Sequence, residues 1–140
     1  MSRIISLDYG KKRTGVAVSD ELQIIATGLT TIASEDLIYW LKDYFKKENV
    51  SEIVLGYPTN LDGSDTHITA KVKKIQSQLE KIFHDKKVIL IDEWYSSKMA
   101  FQTMIDSGLG QKARRNKALI DEISATIILQ DYMQSKSGSY

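Results

Sequence analysis

A chain of 140 residues, 42% of them hydrophobic and 26% charged, has the size and composition of one globular domain. It has no cysteine, which excludes disulfide bonds and thiolate metal sites. A net charge of +1 excludes a protein that coats nucleic acid through general basicity, although local basic clusters remain possible. The sequence shows neither a secretory signal nor an apolar run of the roughly 18 residues that span a membrane, so we expect a cytoplasmic protein without membrane contact.

The first predicted elements are three strands joined by short turns. Apolar and β-branched residues predict these strands at residues 3–9, 14–19 and 24–32. The first turn, residues 9–12, contains a glycine and is too short for a crossover connection, so the first two strands should run antiparallel. We expect the third strand to continue this antiparallel arrangement.

The rest of the chain alternates predicted helices with buried strands. The predicted helices occupy residues 35–48, 65–84, 96–107 and 117–133. Ser34 stands at the N-cap position of the first helix. A short buried strand at 52–55 and a fully apolar strand at 88–91 are typical of strands buried on both faces. This order predicts a single α/β domain over residues 1–134, with one mixed sheet and helices on both faces, followed by a disordered tail at 135–140.

Acidic residues occur at three places where ligand sites of α/β proteins gather. Asp8 ends the first strand, Asp92 and Glu93 end the last strand, and Asp121 lies in the first turns of the last helix. Converging carboxylates repel one another and raise each other's pKa, a conflict that a divalent cation removes. The pattern therefore predicts a site for Mg²⁺ or Mn²⁺, with two ions in the arrangement that cleaves phosphodiesters.

Each acid also has an ordinary structural interpretation, as a solvated strand end or as a residue that favours the first turn of a helix. Asp92 and Glu93 point to opposite faces while their strand persists, so only one of them should face the site, and the pattern does not choose between them. Asp20, at the end of the second strand, is either a strand-end cap or a partner of Arg13.

Two groups of cations lie close to these acids in the chain. One group follows Asp8 and the other precedes Asp121, and their members are Lys11, Lys12 and Arg13, and Lys112, Arg114, Arg115 and Lys117. A solvated charged surface is the ordinary interpretation of such groups. Their position beside the acids favours contacts to the phosphates of a nucleic acid.

Four sequence blocks, in order, resemble the YqgF family, also called RuvX-like, of pre-16S rRNA nucleases. This family belongs to the RNase-H-like superfamily and is related to Holliday junction resolvases. The blocks are LDYGKKRTGVAVSD at 7–20, VLGYPTNLDGS at 54–64, DEW at 92–94 and ALIDEISATIILQDYM at 118–133. The resemblance implies an RNase-H-like fold, a five-stranded mixed sheet flanked by helices. It also implies Asp8, Glu93 and Asp121 as the catalytic and metal-binding acids, and so favours Glu93 over Asp92.

The function implied by the resemblance is metal-dependent hydrolysis of phosphodiester bonds in structured RNA. The implied task is processing the 5′ end of precursor 16S rRNA in ribosome biogenesis, with pre-30S ribosomal particles as partners. Two alternatives stay open, a resolvase of branched DNA at Holliday junctions and a non-catalytic RNA-binding assembly factor. An actin-like or sugar-kinase-like phosphotransferase needs two lobes, for which 140 residues are too few. The residues also leave open endonuclease or exonuclease action, the cleavage position, and a monomer or a dimer.

Two of the chain's departures from the family pattern lie directly beside the acids. Trp94 stands where the family usually has Arg, and Glu122 stands where a small residue is usual. The change at position 94 removes a guanidinium that would contact phosphate or pair with an acid. Trp94 can instead stack on an unpaired base or pack against the protein.

Overall fold

The computed structural model describes residues 2–57, 69–92 and 117–137, and these residues form five strands and three α-helices. In chain order the elements are β1 (Arg3–Tyr9), β2 (Arg13–Ser19), β3 (Ala26–Ala33), α1 (Leu37–Lys47), β4 (Val50–Tyr57), α2 (Thr69–Ile82), β5 (Lys87–Asp92) and α3 (Lys117–Ser137). A 3-10 helix, Ser34–Asp36, leads into α1. The helix predicted at 96–107 lies outside the described residues.

The five strands form one mixed sheet in the order β3-β2-β1-β4-β5. Short connections make β1, β2 and β3 antiparallel neighbours. The helical connections return the chain in the same direction, so β4 pairs parallel with β1 and β5 pairs parallel with β4. This topology confirms the predicted mixed sheet and its antiparallel first three strands.

Side chains alternate between two hydrophobic cores, one on each face of the sheet. Ile5 and Leu7 of β1 belong to the core under α1 and α2, whereas Ile4 belongs to the core under α3. Both central strands are buried on both faces, which explains why β1 and β4 are almost continuously apolar in sequence. Among the helices in the described part of the chain, none combines the length and hydrophobicity needed to span a bilayer.

Ser34 fastens a turn instead of capping a helix, so the predicted N-cap role was wrong. Its hydroxyl donates to the Gly10 carbonyl at 2.6 Å, and a second hydrogen bond joins it to the Thr14 hydroxyl at 2.9 Å. Its backbone N–H donates to the carbonyl of Lys12 at 2.9 Å. These three bonds hold the β1–β2 turn. Because the Ser34 hydroxyl is engaged by the turn, it is not available to cap the helix.

The last helix continues through Ser137, three residues beyond the predicted end of the domain at residue 134. Glu52, in β4 and only 7% exposed, holds this end of α3 on the sheet. Its carboxylate accepts a hydrogen bond from the Tyr132 hydroxyl at 2.8 Å and another from the Lys136 ammonium. Tyr132 and Lys136 compensate the buried charge of Glu52, and these bonds fix the end of the helix on the sheet.

Loss of the Glu52 charge should destabilise the protein in a pH-dependent way. Burial raises the pKa of Glu52, but the hydrogen bonds from Lys136 and Tyr132 outweigh burial and hold it below its ordinary value of 4.5. A carboxyl with a lowered pKa in the folded state stabilises above its unfolded pKa, and this stabilisation disappears as the pH falls through the folded pKa. We expect Glu52→Gln to lower the free energy of unfolding by about 2 kcal/mol at pH 7.

Urea unfolding between pH 7 and pH 3 measures this effect, and the difference between the wild type and Glu52→Gln should shrink below about pH 4.5. Glu80→Gln, at an exposed position of α2, is the matched control and should keep the wild-type stability throughout. A difference that stays constant over this pH range would contradict the role of the Glu52 charge.

Candidate functional site

Asp8 lies at the centre of a row of residues that crosses all five strands. Strand register pairs it with Gly15 of β2 and with Gly56 of β4, and the row ends at Thr31 of β3 and Ile91 of β5. Residues paired across neighbouring strands share a face of the sheet. Ile91 packs against the core under α3, so half-buried Asp8 is on the face that α3 covers, between two glycines.

The start of α3 rests directly on Gly15. A Cβ atom added to this glycine would lie 1.9 Å from the backbone oxygen of Asp121 and 2.3 Å from its carbonyl carbon. The Thr31 hydroxyl donates to the Ala118 carbonyl at 2.6 Å and fixes the preceding turn of the helix on β3. Because Gly15 is the cross-strand partner of Asp8, Asp8 and the backbone of Asp121 both lie beside this glycine on one face of the sheet.

Gly56, on the other side of Asp8, allows the same close approach further along the helix. A Cβ atom there would lie 2.4 Å from Cδ1 of Ile128. Between these two glycine contacts, the Ser6 hydroxyl donates to the Ala125 carbonyl at 2.8 Å. Neither glycine was among the predicted site residues. For Gly15 the available signal was a glycine inside a predicted strand, which often marks the close approach of another backbone, whereas Gly56 lay beyond the strand predicted at 52–55.

Arg13 forms an ion pair with Asp121. Its Nε donates to Oδ2 of Asp121 at 3.0 Å, with 42% of the Arg13 side chain and 21% of the Asp121 side chain exposed. Arg13 begins β2 two positions before Gly15, so alternation places it on the same face of the sheet. The Asp121 carboxylate therefore already has a positive partner on this face.

Asp20 is a turn residue and not a partner of Arg13. Its Oδ1 accepts hydrogen bonds from the backbone N–H groups of Ile24 at 2.7 Å and Ile25 at 2.8 Å. The bond from Ile25 is the main cause that lowers the pKa of Asp20, against the opposing effect of desolvation. Asp20 follows the end of β2 and Arg13 begins it, so the two residues stand at opposite ends of this strand.

The predicted cations divide between described and undescribed parts of the chain. Lys11 and Lys12 are exposed, in the turn that Ser34 holds beside the carboxyl end of β1. Lys117 is the first residue of α3, one helical turn before Asp121. Glu93, Trp94 and the remaining cations of the second group lie outside the described residues, and these are Lys112, Arg114 and Arg115.

Glu122 lies over β3 and does not join Asp8. A Cβ atom added to Gly28 of β3 would be 2.7 Å from Oε1 of Glu122, and this glycine pairs with Ala17, two positions beyond Gly15. The sheet order puts β2 between β3 and the strand that carries Asp8. The larger residue at position 122 is thus accommodated by a glycine on the edge strand.

The donor set at this face suits a hard divalent cation. Asp8 and Asp121 supply carboxylate oxygens, the ligands that Mg²⁺ prefers, and partial exposure leaves room for the waters that this ion retains. Within residues 2–57, 69–92 and 117–137, no group of three or more His, Cys, Asp or Glu side chains is placed to hold a metal. Two carboxylates of the expected three are therefore in the described part of the site.

Comparison with known proteins finds a family and many relatives of nearly equal length. The family model described as RuvX: Holliday junction resolvase matches residues 2–135. A relative from Flavobacterium johnsoniae, named "Putative pre-16S rRNA nuclease", is 56% identical over 136 residues, which cover 97% of this chain and 99% of the relative. Relatives of the same name from Phocaeicola vulgatus and Amoebophilus asiaticus are 48% and 43% identical, covering 97% and 100% of this chain and 98% and 99% of the relatives.

Among solved structures, Thermus thermophilus RuvC in complex with a Holliday junction substrate matches with a TM-score of 0.59 at 14% identity. The match covers 99% of this chain and 98% of that chain. At this identity the likeness concerns the fold, and it confirms the RNase-H-like fold expected from the four sequence blocks.

Proposed function

The chain belongs to the RuvX family, and from this premise we propose that it is a metal-dependent nuclease that processes the 5′ end of precursor 16S rRNA. Family and fold support its assignment as a hydrolase that acts on ester bonds of nucleic acid. The name carried by the relatives supports precursor rRNA as the substrate. Such a substrate belongs to pre-30S ribosomal particles, which we propose as the partner, in the bacterial cytoplasm.

The placement of Asp8 and of the Asp121 backbone beside Gly15, on one face of the sheet, is the observation that carries this proposal. Two carboxylates on one face of the sheet, one from a strand end and one from a distant helix, supply the oxygen ligands that a divalent cation prefers. An exposed basic turn borders the pair, where a phosphate backbone would approach.

As the third acid we propose Glu93, which lies outside the described residues. Ile89 and Ile91 of β5 pack against the core under α3, on the face that carries Asp8. Position 93 has the same parity along the chain as these two residues, whereas position 92 does not. Alternation therefore supports Glu93 over Asp92, in agreement with the family resemblance.

In the proposed reaction the carboxylates of Asp8, Glu93 and Asp121 hold two Mg²⁺ or Mn²⁺ ions. When bound, such ions supply an activated water and stabilise the oxygen that leaves the phosphodiester. The protein's own contribution is position. The buried strand β1 fixes the position of Asp8. The contact between Gly15 and the Asp121 backbone fixes the distance of Asp121 from the sheet. Rigid carboxylates keep the reacting phosphate in line without reorganisation during the reaction.

Phosphates on either side of the cleaved bond are proposed to bind the two groups of cations. Lys11 and Lys12 project from a turn that three hydrogen bonds to Ser34 and one from Gly10 to Arg13 hold in place. Positive charges on a fixed turn bind a phosphate backbone at a small entropic loss. The second group precedes Asp121 in the chain, and it comprises Lys112, Arg114, Arg115 and Lys117.

Cleavage of a four-way DNA junction is the alternative function, and the description of the matching family model favours it. The same carboxylates would serve either substrate. A junction has two-fold symmetry, so its resolution would call for a symmetric dimer with two sites.

A cleavage assay on two substrates tests the proposal. We expect the purified protein to shorten a precursor 16S rRNA fragment at its 5′ side with Mg²⁺ or Mn²⁺, and to leave a four-way DNA junction intact. EDTA should stop the reaction, because the carboxylates alone cannot activate water. Cleavage that persists in EDTA would contradict the metal site, junction cleavage alone would favour the resolvase, and binding of RNA without cleavage would favour an assembly factor.

A further inference from the structure

The Arg13–Asp121 ion pair engages one of the carboxylates proposed to bind metal. The pair joins residues separated by 108 positions, through a single bond from Nε to Oδ2 of 3.0 Å. A guanidinium and a divalent cation at the same carboxylate compete for its oxygens and repel each other. An ion can therefore occupy Asp121 fully only if Arg13 gives up part of this contact.

Arg13 can leave Asp121 without movement of the backbone. Its side chain is 42% exposed, whereas its carbonyl is held by the N–H of Gly10 at 2.9 Å. The side chain thus pivots on a fixed turn, next to Lys11 and Lys12. Once released from Asp121, the Arg13 guanidinium is close to where phosphate is proposed to bind. A guanidinium can donate two parallel hydrogen bonds to one phosphate.

We infer that Arg13 is a counter-ion switch, which neutralises Asp121 until metal binds and then carries its charge to a substrate phosphate. This inference rests on the proposed function and describes how its site is regulated. The switch makes the binding of metal and the binding of RNA mutually favourable, because metal binds Asp121 and RNA binds Arg13, the two partners of the ion pair. By linkage, metal must raise RNA affinity by the same factor by which RNA raises metal affinity.

Titration with Mn²⁺ in the absence of RNA tests the first half of the switch. We expect Arg13→Gln to bind Mn²⁺ about fivefold more tightly than the wild type, since a competing cation has been removed. The matched control is Arg3→Gln, which removes an arginine whose Nε lies 3.1 Å from Glu48 Oε2 at the opposite end of β1. Arg3→Gln should bind Mn²⁺ as the wild type does.

Binding of a precursor rRNA fragment tests the second half. With Mn²⁺ present, Arg13→Gln should reduce the slope of log affinity against log salt concentration by about the amount that one phosphate contact contributes. In EDTA the slope should be the same for Arg13→Gln and the wild type, because Asp121 then holds Arg13. Because the wild type is expected to cut this fragment with Mn²⁺, affinities are read before cleavage, and a denaturing gel shows that the RNA is still intact at that time.

Two results overturn the switch while leaving the proposed function in place. Weaker or unchanged Mn²⁺ binding by Arg13→Gln would mean that Arg13 orients Asp121 or is irrelevant to the ion. An equal loss of RNA affinity with Mn²⁺ and with EDTA would mean that Arg13 binds phosphate regardless of metal. A wild-type protein that binds no Mn²⁺ would overturn the proposed function and the switch together.

Discussion

Asp8→Asn is expected to reduce cleavage of precursor 16S rRNA by roughly 10²- to 10³-fold, the range found when one stabilising group of an active site is removed. Asparagine keeps the size of aspartate but lacks the negative charge that a divalent cation requires. Asp8 is half-buried at the centre of the sheet, between Gly15 and Gly56, where neither neighbour has a side chain to replace it. Single-turnover cleavage at saturating Mg²⁺ measures the loss.

The fold of Asp8→Asn should be intact, because asparagine has the size of aspartate and keeps an oxygen that accepts hydrogen bonds. Thermal unfolding followed by circular dichroism tests this. Asp20→Asn is the matched control, since Asp20 caps the turn at the opposite end of β2 through Ile24 and Ile25. It should retain wild-type cleavage. Wild-type activity in Asp8→Asn would rule out Asp8 as a metal ligand.

Gly15→Ala should have the second large effect, on both stability and activity. The added methyl group would lie 1.9 Å from the backbone oxygen of Asp121, far inside van der Waals contact. A backbone atom at the start of a packed helix cannot move aside alone, so α3 must lift from β2. We expect a loss of about 3 kcal/mol in the free energy of unfolding, the upper range for overpacking. Asp121 would move with the helix, and cleavage should fall with it.

Gly28→Ala provides a close control for Gly15→Ala. Its added methyl group would meet Oε1 and Cγ of Glu122 at 2.7 and 2.8 Å, atoms at the flexible end of a side chain. Glu122 can turn toward solvent, so we expect a loss below about 1 kcal/mol and unchanged cleavage. Urea unfolding of both variants gives the comparison. Equal stability of Gly15→Ala and the wild type would contradict the contact between Asp121 and Gly15.

Strand positions were predictable from the sequence because local patterns determine them. The predicted strand at residues 3–9 coincides with β1, Arg3–Tyr9. The strand predicted at 52–55 is longer in the structure, Val50–Tyr57. The added positions include Gly56, which has low strand propensity and is held by pairing with Asp8 of β1 and Ile91 of β5. Strand ends thus depended on partners that a local pattern does not contain.

Polar side chains were less predictable than strands, because each had both a local and a distant partner to choose from. Ser34 had the sequence position of a helix cap, yet its hydroxyl bonds to Gly10, 24 positions away. Lys136 stood in a segment with the composition of a tail, yet it pairs with Glu52, 84 positions away. Asp20 instead bonds locally, to the backbone N–H groups of Ile24 and Ile25. Composition and spacing do not determine the difference in free energy between the local and the distant hydrogen bond.

By itself the sequence determined the α/β class, the order of strands and helices, and the presence of acids at strand ends, because hydrophobic period and turn residues act over a few positions. The four blocks added the family and its fold. Only the tertiary structure decided that Asp121 rests on Gly15 beside Asp8, and that Arg13 pairs with Asp121. Both depend on the strand register and on how closely α3 approaches the sheet, and those are set when the two cores pack.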